Sequence, residues 1–135
     1  MDFKPKIEAR LAASLLIWLT TVTADCLPQP SPVWFWWDGE SFVIYSQPAM
    51  PKLANIAWNR GVTLNLDAMG RGEEEVTIIN GTASVDDTLP SASENADYRE
   101  KYRDLIENDL GMTVEQFSES YSVPIRFIPH SVRAW

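Results

Sequence analysis

Tyr45-Ser46 closes one apolar run, Gln47 to Met50 reads as a loop, and Pro51-Lys52 opens what should be a helix, since proline costs nothing at a first helical position. A hydroxyl, the unpaired N–H groups of a helix start and one ammonium are the ingredients of a phosphate site, because the helix dipole and the free donors both favour an anion there. The plainer reading of Lys52 is an exposed lysine set slightly against the dipole, and that mild misfit leans toward a bound anion. Other chemistry has little to work with. His130 is the single histidine, so a Ser-His-Asp arrangement or a histidine-rich metal site has almost nothing to be built from, and beside Pro129 it reads as a surface residue. Glu73-Glu74-Glu75 reads as a solvated turn rather than a cation site. Cys26 is the single cysteine, which rules out an intrachain disulfide or a thiolate cluster and suits a reducing, cytoplasmic compartment. No metal ligand and no catalytic acid or base is nominated.

The chain must supply a frame for that site from 135 residues, enough for one domain spanning residues 1–135 and too few for two. Apolar residues make up 45% and there are six tryptophans, so a packed core is affordable and disorder is not a description of the whole. A net charge of −8 would repel nucleic acid and anionic membranes, which leaves small molecules or other proteins as partners. Trp34 and Trp36 admit two readings, as ballast in a core or dimer interface, or as walls for a planar ring.

Lys4, Lys6 and Arg10 precede an apolar run from Leu11 to Val22 that ends near Cys26, an order that imitates a lipoprotein leader. Glu8 among the bases, Asp25 directly before Cys26 and the shortness of the run weigh against it. The expectation is a helix over Lys6 to Ser14 feeding a strand over Leu15 to Thr23.

Pro28 and Pro30 keep the next stretch out of any helix, and Ser31 to Trp37 is extended. Asp38-Gly39 then signals a hairpin to a strand over Ser41 to Ser46, apolar on both faces and therefore expected to be central. A helix over Pro51 to Asn59 should bury Leu53, Ile56 and Ala57. A half-buried strand over Gly61 to Leu66, a Gly70-Arg71-Gly72 turn and a strand over Val76 to Val85 with a bulge at Gly81 come next. Tyr98, Tyr102, Leu105 and Ile106 recur at helical spacing within Asn95 to Asn108, and Gly111 ends that helix. Thr113 and Gln116 form a capping box, with Met112 and Phe117 as the staple of a helix to about Tyr121. The chain finishes in a strand from Val123 to Trp135, which Pro124 and Pro129 should confine to edge-like or bulged positions. Helices outside a curved antiparallel sheet make an α+β fold, most simply a small closed or split β-barrel.

The stretches Pro32-Val33-Trp34-Phe35-x-Trp-Asp-Gly, Tyr45-Ser46-Gln47-Pro48-x-x-Pro51-Lys52-Leu53-x-Asn55-Ile56, Asn59-Arg60-x-Val62-Thr63-Leu64-Asn65-Leu66, Gly81-Thr82-Ala83 and Val132-Arg133-Ala134-Trp135 resemble the pyridoxamine-5′-phosphate-oxidase-like split-barrel proteins, in particular the F420-dependent branch of actinobacterial type. The resemblance implies a homodimer with two interfacial sites for F420 or, alternatively, FMN. It implies that Lys52 and Ser46 hold the cofactor phosphate, that Val33 and Trp34 lie along the ring by main-chain contact, that Tyr45 and Trp34 line the pocket, and that Trp135 arrives from the partner subunit. Met50 stands where many members carry arginine, which implies either a weaker phosphate site or one completed by another cation such as Arg133. Cys26 stands where members often have glycine. The implied activity is hydride transfer from reduced F420 to a small unsaturated or quinone-like acceptor; the alternative is a noncatalytic module that binds flavin or haem.

Overall fold

Pro28-Gln29-Pro30-Ser31-Pro32 alternates residues that have a backbone N–H with residues that lack one, a pattern that fits only the margin of a sheet. In the computed structural model, which describes residues 1–67 and 76–135, that segment is an edge strand. Helix α1 (Pro5–Ala13) leads into β1 (Ile17–Val22), and β2 (Pro28–Val33) returns antiparallel beside it. Then follow β3 (Trp36–Trp37), β4 (Phe42–Ser46), α2 (Pro51–Trp58), β5 (Gly61–Leu66), β6 (Thr77–Val85), α3 (Ala96–Asp104), a π-helical turn (Leu105–Asp109), α4 (Val114–Ser120) and β7 (Val123–Ala134). The strands form one antiparallel sheet in the order β2-β1-β5-β6-β7-β4-β3.

The two edges of that sheet are consecutive in the chain. Val33 ends β2 and Trp36 begins β3, a span of at most ~11 Å of backbone, so the sheet has to curl until its edges nearly meet. The result is a split barrel with its seam at Trp34-Phe35, the α+β architecture expected from the pattern. Inside the curl, Leu19, Phe35, Phe42, Leu64 and Phe127 pack with Ile7 and Leu11 of α1 and Ile56 of α2. Outside it, Val43 and Tyr45 pack against Tyr98, Tyr102 and Ile106 and against Phe117 of α4. Strand β4 is apolar on both faces because it divides these two cores; it lies next to the short edge strand β3, not at the centre of the sheet.

The seam has backbone groups that no strand satisfies, and one phenol serves them. Tyr102 accepts from the Phe35 N–H at 2.8 Å and its hydroxyl lies 3.0 Å from the Phe35 carbonyl and 2.8 Å from that of Leu15. The Lys101 ammonium donates to the Phe35 carbonyl at 3.0 Å and sits 3.8 Å from the centre of the Phe35 ring. Tyr102→Phe leaves the buried Phe35 N–H without its partner and the Phe35 carbonyl with Lys101 alone, and should lower stability by about 1 to 3 kcal/mol with the fold retained. Chemical denaturation of the pair checks it, and an unchanged midpoint would show that the seam does not depend on this hydroxyl.

Several expectations change in detail. The hairpin turn is centred on Gly39-Glu40, because Asp38 N–H already bonds the Ser41 carbonyl at 3.0 Å while the Asp38 carboxylate accepts from Glu40 and Ser41 N–H. Ala57 faces solvent; Asn55 is buried instead, donating to Thr21 and Gln29. Helix α3 begins at its Asn95 cap but gives way to the π turn after Asp104. The capping box of Thr113 and Gln116 is formed as expected. Strand β7 is internal, paired with β6 and β4. Pro124 is tolerated because its backbone faces Asp86, just past the end of β6, and Pro129 because it lies beyond the end of β4 and beside a bulge, where the register passes from Asn80 opposite Ser131 to Gly81 opposite Pro129. The Gly70-Arg71-Gly72 turn and Glu73 to Glu75 lie outside the described residues.

The β1–β2 hairpin closes through Thr23 N–H to the Leu27 carbonyl, and the last residue of its loop, Cys26, has φ of 65°. A three-residue hairpin loop of this kind ends in a left-handed residue, a position that favours glycine. Cys26→Gly should therefore raise stability by roughly 0.5 to 1 kcal/mol, read as a small rise in Tm; a fall would show that the thiol side chain packs usefully there.

Candidate functional site

The seam of the barrel opens into a cavity of ≈ 280 Å³ walled by Pro32, Val33 and Trp34 on the β2 side, Tyr45, Ser46 and Gln47 at the end of β4, Met50 and Lys52 at the start of α2, and Tyr98, Phe117 and Tyr121 from the outer helices. Each wall follows from local structure. Strand β4 runs out at Ser46, the loop turns at Ala49 with φ of 61°, and Pro51 starts α2, so Lys52 is brought back beside the strand it left. The left-handed φ at Ala49 costs about 1 kcal/mol and marks a loop held in shape by its surroundings.

Lys52 is half-buried, and burial pulls its pKa below the usual lysine value. It makes no hydrogen bond or ion pair within the described residues. A cation stripped of part of its water and left unpaired is a ready partner for an anion. Ser46 is 2% exposed and donates to the Gln47 carbonyl at 2.9 Å, so its hydroxyl would have to turn from that carbonyl to donate to an anion. Tyr45 presents its ring, while its hydroxyl donates to the Pro90 carbonyl at 2.7 Å and accepts from Asn95 at 3.3 Å. Burial raises the Tyr45 pKa further, so this phenol stays neutral with its O–H directed at the Pro90 carbonyl.

Trp34 lines the cavity but its indole is packed. It stacks on Tyr102 at 4.6 Å and 5°, and on Phe117 at 5.4 Å and 21°, and Phe117 in turn stacks on Tyr121 at 4.3 Å. Of the two readings of Trp34, ballast describes how its ring is packed, and Val33 and Trp34 both line the cavity. Tyr98 is buried with no hydrogen-bond partner for its hydroxyl among the described residues, and burial holds its pKa well above normal.

Val33, Trp34, Tyr45, Ser46 and Lys52 thus converge on one cavity. Arg133 and Trp135 do not line it: they lie at the free end of β7, with the guanidinium 5.2 Å from the Trp135 ring and Trp135 itself 57% exposed. His130 is exposed and bonded to Thr82 at 3.1 Å, away from the cavity. Sequence reasoning passed over Gln47 and the wall from Tyr98, Phe117 and Tyr121, whose spacing was legible as a helix stripe but whose direction depends on how α3 and α4 lie on β4. Among the described residues no group of histidine, cysteine and carboxylate could hold a metal ion, and no helix is long and apolar enough to cross a membrane.

The arrangement can take a flat ring against an aromatic and main-chain wall, with an anionic group at Lys52. Residues 3–131 match the family model described as pyridoxamine 5′-phosphate oxidase. No curated protein matches the chain in sequence. Among solved structures, a pyridoxamine 5′-phosphate oxidase candidate from Listeria innocua is 26% identical with a TM-score of 0.66, over 96% of this chain and 94% of its own. An F420 reductase is 22% identical with a TM-score of 0.68, over 93% and 94%. HutZ, a haem-storage protein from Vibrio cholerae, is 16% identical with a TM-score of 0.71, over 99% and 95%. At these last two identities the likeness is one of fold.

Proposed function

Because the chain belongs to the pyridoxamine 5′-phosphate oxidase family, we propose that it is a cytoplasmic homodimeric oxidoreductase that uses reduced F420, with FMN as the alternative cofactor, to deliver a hydride to a small unsaturated or quinone-like acceptor. The observation that carries the reading is the unpaired, partly desolvated Lys52 at the edge of a cavity walled by Val33, Trp34, Tyr45 and Ser46. When bound, the deazaflavin supplies the hydride. The protein's own residues would do the rest: Lys52 and Ser46 hold the phosphate, the main chain of Val33-Trp34 positions the ring, and the aromatic wall keeps water from the reacting face.

The homodimer is supported by what surrounds the cavity. Leu16, Met50 and Leu110 line it and are 50%, 37% and 45% exposed, an apolar margin that a second copy would cover. Arg133 and Trp135, which do not line the cavity of their own subunit, would then complete the partner's site. A second reading, a noncatalytic module that binds flavin or haem, is favoured by one feature: two phenols of the cavity lining are tied up or buried, Tyr45 on the Pro90 carbonyl and Tyr98 within the packed wall.

Fluorescence titration of the purified protein, its dimer confirmed by mass, with F420 and with FMN tests the assignment. Micromolar or tighter binding of F420 followed by turnover with a quinone acceptor is the expected result. Preference for FMN would move it to the flavin alternative, binding without turnover to the noncatalytic one, and no binding of either would overturn the site.

A further inference from the structure

The edge of β2 beside Lys52 has a property that the ladder pairing makes explicit. Thr23 N–H bonds the Leu27 carbonyl at 2.9 Å, and the same ladder sets Thr21 opposite Gln29, Leu19 opposite Ser31 and Ile17 opposite Val33. In an antiparallel pair, hydrogen-bonded and non-bonded residue pairs alternate, so these are the bonded ones. Pro28, Pro30 and Pro32 occupy the non-bonded positions, opposite Val22, Thr20 and Trp18. Their carbonyl oxygens consequently point away from β1, and their nitrogens carry no hydrogen.

An ordinary strand edge offers donors and acceptors in alternation. This one offers acceptors alone, and its three prolines are exposed. It cannot pair with another strand, which needs N–H groups facing it as well as carbonyls. It can receive any group that only has to donate.

Two cavities run along that edge. The seam cavity includes Pro32 in its lining, and a neighbouring one of ≈ 330 Å³ includes Pro28 and Pro30; Met50 and Lys52 line both. The acceptor edge therefore continues past the lysine from the aromatic wall. We infer that the carbonyls of Pro30 and Pro32 bind the hydroxylated chain that joins ring to phosphate in the cofactor, so that this site selects ligands whose linker is a polyol. The inference rests on the cofactor reading above. The oxygens accept, the ligand's hydroxyls donate, and no protein side chain is needed for the contact.

Three flavins separate the contributions: lumiflavin, which has the ring alone; riboflavin, which adds the polyol; and FMN, which adds the phosphate. Riboflavin should bind at least about tenfold tighter than lumiflavin, the worth of one or two added hydrogen bonds, and Lys52→Ala should keep that ratio while removing the advantage of FMN over riboflavin. With carbonyl-¹³C-labelled proline, the Pro30 and Pro32 signals should move with riboflavin and stay with lumiflavin. Equal affinity for riboflavin and lumiflavin, with FMN still bound, would overturn the polyol contact and leave the cofactor reading standing. A riboflavin preference whose shifts fall on other prolines would overturn the role of this edge. If none of the three flavins nor riboflavin's 5-deaza counterpart binds, both the contact and the cofactor reading fail.

Discussion

Lys52→Ala should weaken binding of both F420 and FMN by about 10- to 100-fold while leaving the fold intact. A hydrogen bond to a charged group contributes about 1.5 to 3 kcal/mol, and each 1.4 kcal/mol is a factor of ten. Removing an unpaired cation from a partly desolvated position takes away no described partner, so Tm should hold or rise slightly. The pH dependence gives a sharper test. Burial lowers the Lys52 pKa in the free protein, whereas a bound phosphate would favour the charged form and raise it again. Binding then takes up a proton over that interval, and affinity for FMN should fall as pH rises through the lowered Lys52 pKa. In the alanine variant that fall should disappear. The same lowered pKa means that the unfolded chain holds this proton more tightly than the native one, so wild-type stability should rise with pH over the interval, and the variant should lose that slope as well. Wild-type affinity in Lys52→Ala, or an unaltered pH profile, would remove Lys52 from the phosphate site.

The strands and helices were legible because their signals are local. The capping box at Thr113 and Gln116, the start of α2 at Pro51 and the span of β5 depend on spacing over a few residues, and all are found. Cys26 is instructive in another way: its place as a substitute for glycine was visible only through the family resemblance, and its φ of 65° supplies the physical reason. What the sequence could not disclose was set by nonlocal packing. That β7 is internal despite Pro124 and Pro129 depends on β6 ending before Asp86, which Pro124 faces, and on β4 stopping short of Pro129, which no periodicity records. Ala57 was read as buried on helical spacing, but α2 rests on β1 through Asn55 and Ile56, so the buried stripe is rotated and a polar residue takes part in it. The site shows the same division. Ser46 and Lys52 could be joined from the strand-loop-helix order alone, whereas the wall from Tyr98, Phe117 and Tyr121 exists only because α3 and α4 fold back on β4.

The prolines of β2 connect those two kinds of information. Their alternation is plain in the sequence, yet its meaning needs the register with β1: shifted by one residue, the same prolines would face β1 and break the ladder. An edge that cannot accept another strand is also a safeguard against edge-to-edge pairing. If the proposed ligand binds there, stability and binding ask for the same residues at this edge; Tyr102 satisfies the backbone groups of Phe35 at the seam.

Gly81→Ala should be the most damaging alanine substitution at the described glycines. A Cβ at Gly81 would lie 2.1 Å from the Ile128 carbonyl oxygen and 2.7 Å from the Phe127 ring. The first of these is backbone in the neighbouring strand and the second is a ring that is 0% exposed, so neither can give way cheaply. Relief requires β6 and β7 to part at the bulge, where Gly81 already faces Pro129. The expected loss is about 3 kcal/mol or more, read as a large drop in Tm or as failure to accumulate folded protein. Phe127→Leu in the same chain should recover only part of it, because the carbonyl clash remains. A Tm within about two degrees of wild type would mean that the strands are not in such close contact. The consequence reaches the proposed site, since the part of β7 beyond the bulge pairs with Thr77 to Asn80 and carries Arg133 and Trp135. A separation at Gly81 mild enough to leave the protein folded should therefore redirect that tail, and, if Arg133 and Trp135 complete the partner's site, cofactor affinity should fall in the dimer even though no residue of the cavity has been changed.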